Sequence, residues 1–178
     1  MKIERTGIEG LAILHFDVHE DERGSFSRTY CRDALDSAGL SFALAQANLS
    51  CNPVKHTLRG LHFQHPPHAE TKIVVCVRGR IWDVAVDIRP RSPTFRQWRA
   101  FDLSAGGRRA VYLAAGLAHG FLTLEPGSDL HYLTDAAYAP QAAAGVFWAD
   151  PAIAIEWPAA PALISDRDSS LPLLSALA

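Results

Sequence analysis

Residues 57–79 read TLRGLHFQHPPHAETKIVVCVRG, and within them Arg59, His62, His65, His68, Glu70 and Lys72 fall between two strand-like runs joined by a His-Pro-Pro corner. Few core hairpins carry so many groups able to titrate, bind or orient a ligand. Imidazole changes charge near neutral pH, guanidinium presents a planar fork of donors, and a lysine ammonium is a compact cation. Singly, each residue has a plainer reading: His62 as a hydrogen-bonded core histidine, Lys72 as an exposed lysine at a strand end, Tyr132 as a packing residue. Their co-occurrence in one sheet is what marks the stretch as a site.

The elements that must position these residues are short strands. Residues 11–16 form an apolar run, residues 21–24 (DERG) a turn, and residues 25–30 alternate Phe26, Arg28 and Tyr30 against small hydroxyls, the period of a strand. Residues 32–39 read as a helix with Ala34, Leu35 and Ala38 on one face and Gly39 at its C-terminal end. Residues 44–52 place Gln46, Asn48 and Ser50 on one face, a pattern suited to a binding cleft. In the strand that follows the Pro-Pro corner, Lys72, Val74 and Cys76 share a face. His62 shares a period-2 face with Leu58 and Gln64, which sends Arg59 to the other side unless Gly60 is a bulge that resets the register.

Residues 81–88 alternate Trp82, Val84, Val86 and Ile88 with Ile81, Asp83, Ala85 and Asp87. Further strands are expected at 98–103, 110–113, 116–124 with His119, and 129–134 with Tyr132. About ten short strands at hairpin spacing and little helix predict an all-β sandwich or barrel. The Pro- and Ala-rich tail after Trp148 reads as a strand followed by an irregular surface return. Without a repeat or linker, residues 1–178 are expected to form one domain.

Composition narrows the function. With 178 residues, 48% hydrophobic, 20% charged and a net charge of -2, the chain is long enough to bury a core and lacks the basic excess that nucleic-acid binding needs. Three cysteines (Cys31, Cys51, Cys76) without C-x-x-C spacing point to buried or partly buried free thiols in a reducing cytoplasm. No apolar run approaches the roughly 18 residues of a membrane span.

Metal ligation is the first alternative. His62, His65, His68, Glu70 and His119 faintly resemble the ligand sets of metal-binding cupins. Those proteins use H-x-H on one strand face, whereas here the histidines are three apart across a Pro-Pro break, so no metal is expected.

Nearly end to end, the motifs DERGSFSRTY, QANLSCN, TLRGLHFQHPP, TKIVVCVRGRIWDVAVDIRPRSPTF, GLAHGFLTL, the Tyr132/Tyr138 pair, WADPAIAIEWP and LISDRDSSLP resemble the dTDP-4-dehydrorhamnose 3,5-epimerase family. The resemblance implies a cupin-like double-stranded β-helix, or jelly-roll barrel, with short peripheral helices, acting without metal or other cofactor. Its implied substrate is a nucleotide-diphosphate 4-keto-6-deoxy sugar, inverted at C3, C5 or both. By similarity His62 is the base, Asp168 its orienting partner, Tyr132 the opposite-face acid and Lys72 the stabiliser of the enolate oxygen. Arg23, Arg28, Gln46, Asn48, Arg59, His119, Tyr138 and Arg167 would contact substrate, with Asp83 behind them.

The chain departs from the family pattern at Arg28 and in the QAAAG segment around Ala143, where relatives carry glutamate, at Glu70 in place of glutamine, and at Arg167 in place of lysine. A homodimer with no nucleic-acid or membrane partner is expected. The rivals are a metal-dependent cupin isomerase or oxygenase and a non-catalytic sugar-nucleotide binding module.

Overall fold

The computed structural model describes residues 1–177. Two antiparallel sheets face each other. The first runs in the order β1 (Lys2–Arg5), β2 (Leu11–His15), β10 (Arg109–Leu113), β7 (Lys72–Arg78), β12 (Ser128–Thr134) and β5 (Gln46–Asn52). The second runs β13 (Ala143–Gly145), β6 (Leu58–Gln64), β11 (Leu117–Thr123), β8 (Arg80–Asp87) and β9 (Trp98–Ser104). A separate hairpin, β3 (Val18–Asp21) with β4 (Gly24–Ser27), stands off the sheets, and the helices are the short α1 (Arg32–Ser37) and α2 (Asp166–Ser169). This is the cupin-like double-stranded β-helix. No described helix is long and apolar enough to cross a membrane.

Period-2 alternation divides each strand between interior and exterior. Val74, Cys76, Ile81, Ala85, Leu113, Phe121 and Leu130 fill the space between the sheets. Each such large side chain withdrawn from water contributes roughly 1.5–3 kcal/mol. The alternate residues Ile73 and Val75 face outward and are covered by Leu35 of α1 with Leu40 and Phe42. On the opposite sheet Leu61, Val84, Val86 and Ala118 are covered by the C-terminal segment through Val146, Ile153 and Leu174. The apolar interior fills one end of the barrel, leaving the other to polar side chains.

Among the described residues that segment contains no strand after Trp148, contrary to expectation. It makes turns, α2 and a single bridge from Leu163 to Thr57, because prolines at 151, 158, 161 and 172 remove the donors a ladder requires. Cys51 is exposed, not buried, since it lies on the outward face of the edge strand β5; Cys76 is buried and Cys31 lies between. Burial pushes the Cys76 thiol up to about 11, so it stays protonated and packs as a small hydrophobe.

One local feature builds the site. The β6–β11 register pairs His119 with His62 but Phe121 with Arg59, a slip of one residue at Gly60. The bulge turns Arg59 and His62 onto the same side of the sheet, where strict alternation would separate them. Gly60 has φ of 123°, and a Cβ there would come within 2.6 Å of the Gly120 Cα and 2.8 Å of the His119 carbonyl oxygen. Gly60→Ala is therefore expected to destabilise the fold by about 2 kcal/mol or more, measured by urea denaturation; a midpoint equal to wild type would contradict this reading of the bulge.

Candidate active site

At the polar end of the barrel, Asn48, Leu49, Ser50, Arg59, His62, Lys72, His119, Phe121, Tyr132 and Tyr138 line a cavity of about 440 Å³. Both sheets contribute. Arg59 and His62 come from β6 and His119 from β11, while Lys72 comes from β7 and Tyr132 from β12 across the barrel.

His62 Nε2 lies 2.7 Å from Asp168 Oδ1. The imidazole is 36% exposed and the carboxylate 6%, so the ring reaches the cavity while its partner is shut away behind it. Asp168 is held by Ser165, whose hydroxyl accepts from the Asp168 N–H at the start of α2, and its Oδ2 accepts from the Gly60 N–H at 3.0 Å. Burial alone would raise the Asp168 carboxyl; the hydrogen bonds from His62 and Gly60 outweigh it and hold the group below its ordinary value. A carboxylate so placed fixes the imidazole tautomer and leaves Nδ1 for the cavity.

A second pair is built alike. His119 Nε2 lies 2.7 Å from Asp83 Oδ1, with both side chains almost fully buried. Asp83 Oδ2 has no hydrogen-bond partner among the described residues. The His119 ring packs edge-on to Tyr132, centroids 5.9 Å apart. Burial pushes the Tyr132 phenol well above its ordinary value and the Asp83 charge adds to this, with Arg59 opposing, so the hydroxyl keeps its proton at neutral pH.

The remaining groups are held from behind. Arg59 Nε donates to the Asn52 amide oxygen at 2.8 Å, so its charge has no carboxylate partner among the described residues and stays available to an anion. Lys72 Nζ lies 2.9 Å from Glu70 Oε1. Gln46 accepts from the Tyr138 N–H at 2.7 Å, and Gln64 accepts from the next amide, Ala139, so two glutamines fix the loop that carries Tyr138. Of these supports, Asn52 continues the alternation of Gln46, Asn48 and Ser50 and was legible in principle. Gln64 gave no signal, because its role depends on a loop over seventy residues away.

Four expected residues do not line this cavity: Gln46 holds Tyr138 without lining it, and three arginines lie away from it. Arg23 sits at the exposed tip of the β3–β4 hairpin and is engaged by Asp21. Arg28, just beyond β4, is exposed and points Nη1 toward Cys31 Sγ at 3.9 Å. Both leave because the hairpin stands off the barrel. Arg167 is exposed on α2, whose inward side is taken by Asp168. His65 and His68 lie exposed at the Pro-Pro corner, and among the described residues no group of three His, Cys, Asp or Glu is arranged to hold a metal ion. A second cavity of about 440 Å³, near Phe63, Ile88, Phe95 and Leu174, is mostly apolar and its Arg89 is spent on Asp87.

The sequence over residues 5–176 matches the model of the dTDP-4-dehydrorhamnose 3,5-epimerase family. The chain belongs to that family. Among curated relatives, the dTDP-4-dehydrorhamnose 3-epimerase of Streptomyces niveus is 40% identical over 176 residues, covering 98% of this chain and 84% of the relative. The dTDP-4-dehydrorhamnose 3,5-epimerase of Salmonella typhimurium is 40% identical over 177 residues, covering 98% and 96%. Among solved structures, a dTDP-6-deoxy-D-glucose-3,5-epimerase from Legionella pneumophila in complex with dTDP-4-keto-L-rhamnose superposes with a TM-score of 0.94 at 34% identity, covering 99% of this chain and 97% of that one. As a dTDP-4-dehydrorhamnose 3,5-epimerase family member the protein is an isomerase, and the cavity above is where the family's chemistry has its candidate residues.

Proposed function

We propose that the protein epimerises a dTDP-linked 4-keto-6-deoxyhexose at a carbon next to the ketone. The observation that carries this reading is His62 on one sheet, backed by Asp168 of α2, facing Tyr132 and Lys72 on the other sheet across one cavity. The ketone acidifies the hydrogens on C3 and C5. His62 takes one of them as a proton, the electron pair moves to the ketone oxygen to form an enolate, and the Lys72 ammonium stabilises that oxygen. Asp168 stabilises the imidazolium. Tyr132 then gives its proton to the carbon from the opposite face, and the carbonyl reforms with the centre inverted. An enolate is a far stronger base than a phenolate, so this transfer is favourable even from a phenol held protonated. Arg59 suits a diphosphate oxygen, with Gln46, Asn48, His119 and Tyr138 around the rest of the ligand.

The test is solvent exchange in heavy water with dTDP-linked 4-keto sugars, read by NMR. Deuterium at C3 or C5 is expected. Binding without exchange would favour a binding module, and exchange abolished by a chelator would favour a metal-dependent isomerase.

The same reading covers residues 1–178 as one domain in a cytoplasmic homodimer. Free cysteines suit a reducing compartment, and Phe26 (73% exposed), Leu49 (61%) and Val77 (47%) offer apolar surface for a second copy. Light scattering at micromolar concentration should give twice the chain mass; a monomer would contradict the dimer.

A further inference from the structure

We propose that Glu70 is a positioning residue that aims the Lys72 ammonium at the ketone oxygen. The inference rests on the epimerase reading and concerns a residue outside the cavity lining.

Glu70 and Lys72 flank Thr71, whose backbone is fixed on both sides. Its N–H donates to Asp135 Oδ1 at 2.6 Å, and its carbonyl accepts from the Asp135 N–H at 3.2 Å. Lys72 begins β7, paired with Leu113 on one side and Thr134 on the other. In extended chain, residues two apart project to the same face, so the pinned backbone itself brings carboxylate and ammonium together. They meet at 2.9 Å with each side chain only 12% exposed. An exposed pair of this kind contributes little, but here both charges are largely withdrawn from water and their attraction is correspondingly less screened.

The consequence is geometric. A lysine ammonium rides on a flexible four-carbon stem and, with the Arg59 cation lining the same cavity, would be driven away from it. Glu70 occupies one of its three N–H donors and leaves two for the ligand. The pocket repeats this device: His62 leans on Asp168, His119 on Asp83 and Lys72 on Glu70, whereas Arg59 leans on the neutral amide of Asn52. His62, His119 and Lys72 are thus each held by one carboxylate from behind.

The experiment measures kcat and KM for inversion of a dTDP-linked 4-keto-6-deoxyhexose by the full chain as wild type, Glu70→Ala, Glu70→Gln, Lys72→Met and the Lys72→Met/Glu70→Ala double variant. Circular dichroism checks that each is folded. Misplacing a reacting group by about an ångström costs up to about 10²-fold, so Glu70→Ala is expected to lose about tenfold or more in kcat with KM within about threefold. Glu70→Gln, whose amide oxygen still accepts from Nζ, should return to within about threefold of wild type. In the Lys72→Met background, Glu70→Ala should add less than about twofold, because the group it aims is gone. Wild-type kcat in Glu70→Ala, a Gln variant as slow as the Ala variant, or an undiminished Glu70 effect without Lys72 would each overturn the assignment. Wild-type protein that inverts none of the sugars tested would overturn the epimerase reading itself.

Discussion

His62→Ala is expected to lower kcat for inversion by about 10³-fold or more while leaving KM within about threefold and the protein folded. A positioned general base contributes roughly 10²–10⁴-fold, and no other group in the cavity duplicates it. His119 is the nearest alternative, but it is buried and bound to Asp83. The fold should tolerate the change because the imidazole is 36% exposed and forms no part of the apolar interior. Loss of proton transfer without loss of binding lowers kcat and kcat/KM together. Deuterium exchange from heavy water should vanish with it. Stopped assays and NMR on the same preparations check both; exchange at the wild-type rate in His62→Ala would remove the base from its role.

Tyr132→Phe is expected to separate two events that are joined in the native protein. Inversion should fall by about 10³-fold, since a phenyl ring has no proton to give. His62 can still remove a proton, exchange it with solvent and return a deuteron to the face it came from. The variant should therefore label the substrate while retaining its configuration. NMR resolves the two outcomes, because label and configuration are read on the same carbon. Exchange and inversion falling in parallel would mean that Tyr132 assists deprotonation and is not the opposite-face acid. Phenylalanine fills nearly the same volume against His119, so packing is not the variable being changed.

Much of this arrangement was legible in the chain because period-2 alternation is a local property. The pattern of residues 81–88 puts Asp83 and Ala85 inside and Trp82, Val84 and Val86 outside, as the packing shows. Gln46, Asn48 and Ser50 share a face for the same reason, and Asn48 and Ser50 reach the cavity. At Gly60 the sequence left two options. A bulge depends on how β6 meets β11, and only the pairing of Phe121 with Arg59 decides it.

Where contacts span the fold, the sequence was silent. Nothing near Arg23 or Arg28 says that their hairpin leaves the barrel, because Phe26 and Tyr30 supply the alternation of an ordinary strand; Phe26 is exposed, while Tyr30 packs on Phe42. The tail reads as beginning with a strand, yet its Ile153 and Ile155 pack onto the five-stranded sheet without joining a ladder. Asp168 was reachable only through the family resemblance. Its place beside His62 follows from a return of the chain across 106 residues.

The central claim is that acid and base act on opposite faces of one sugar carbon. A crystal structure with a dTDP-linked 4-keto-6-deoxyhexose bound tests it most directly. The predicted result has His62 Nδ1 and Tyr132 Oη against opposite faces of the carbon beside the ketone, with Lys72 Nζ at the ketone oxygen. A sugar seated with both side chains on the same face, or lodged instead in the apolar cavity beside Phe95, would contradict it.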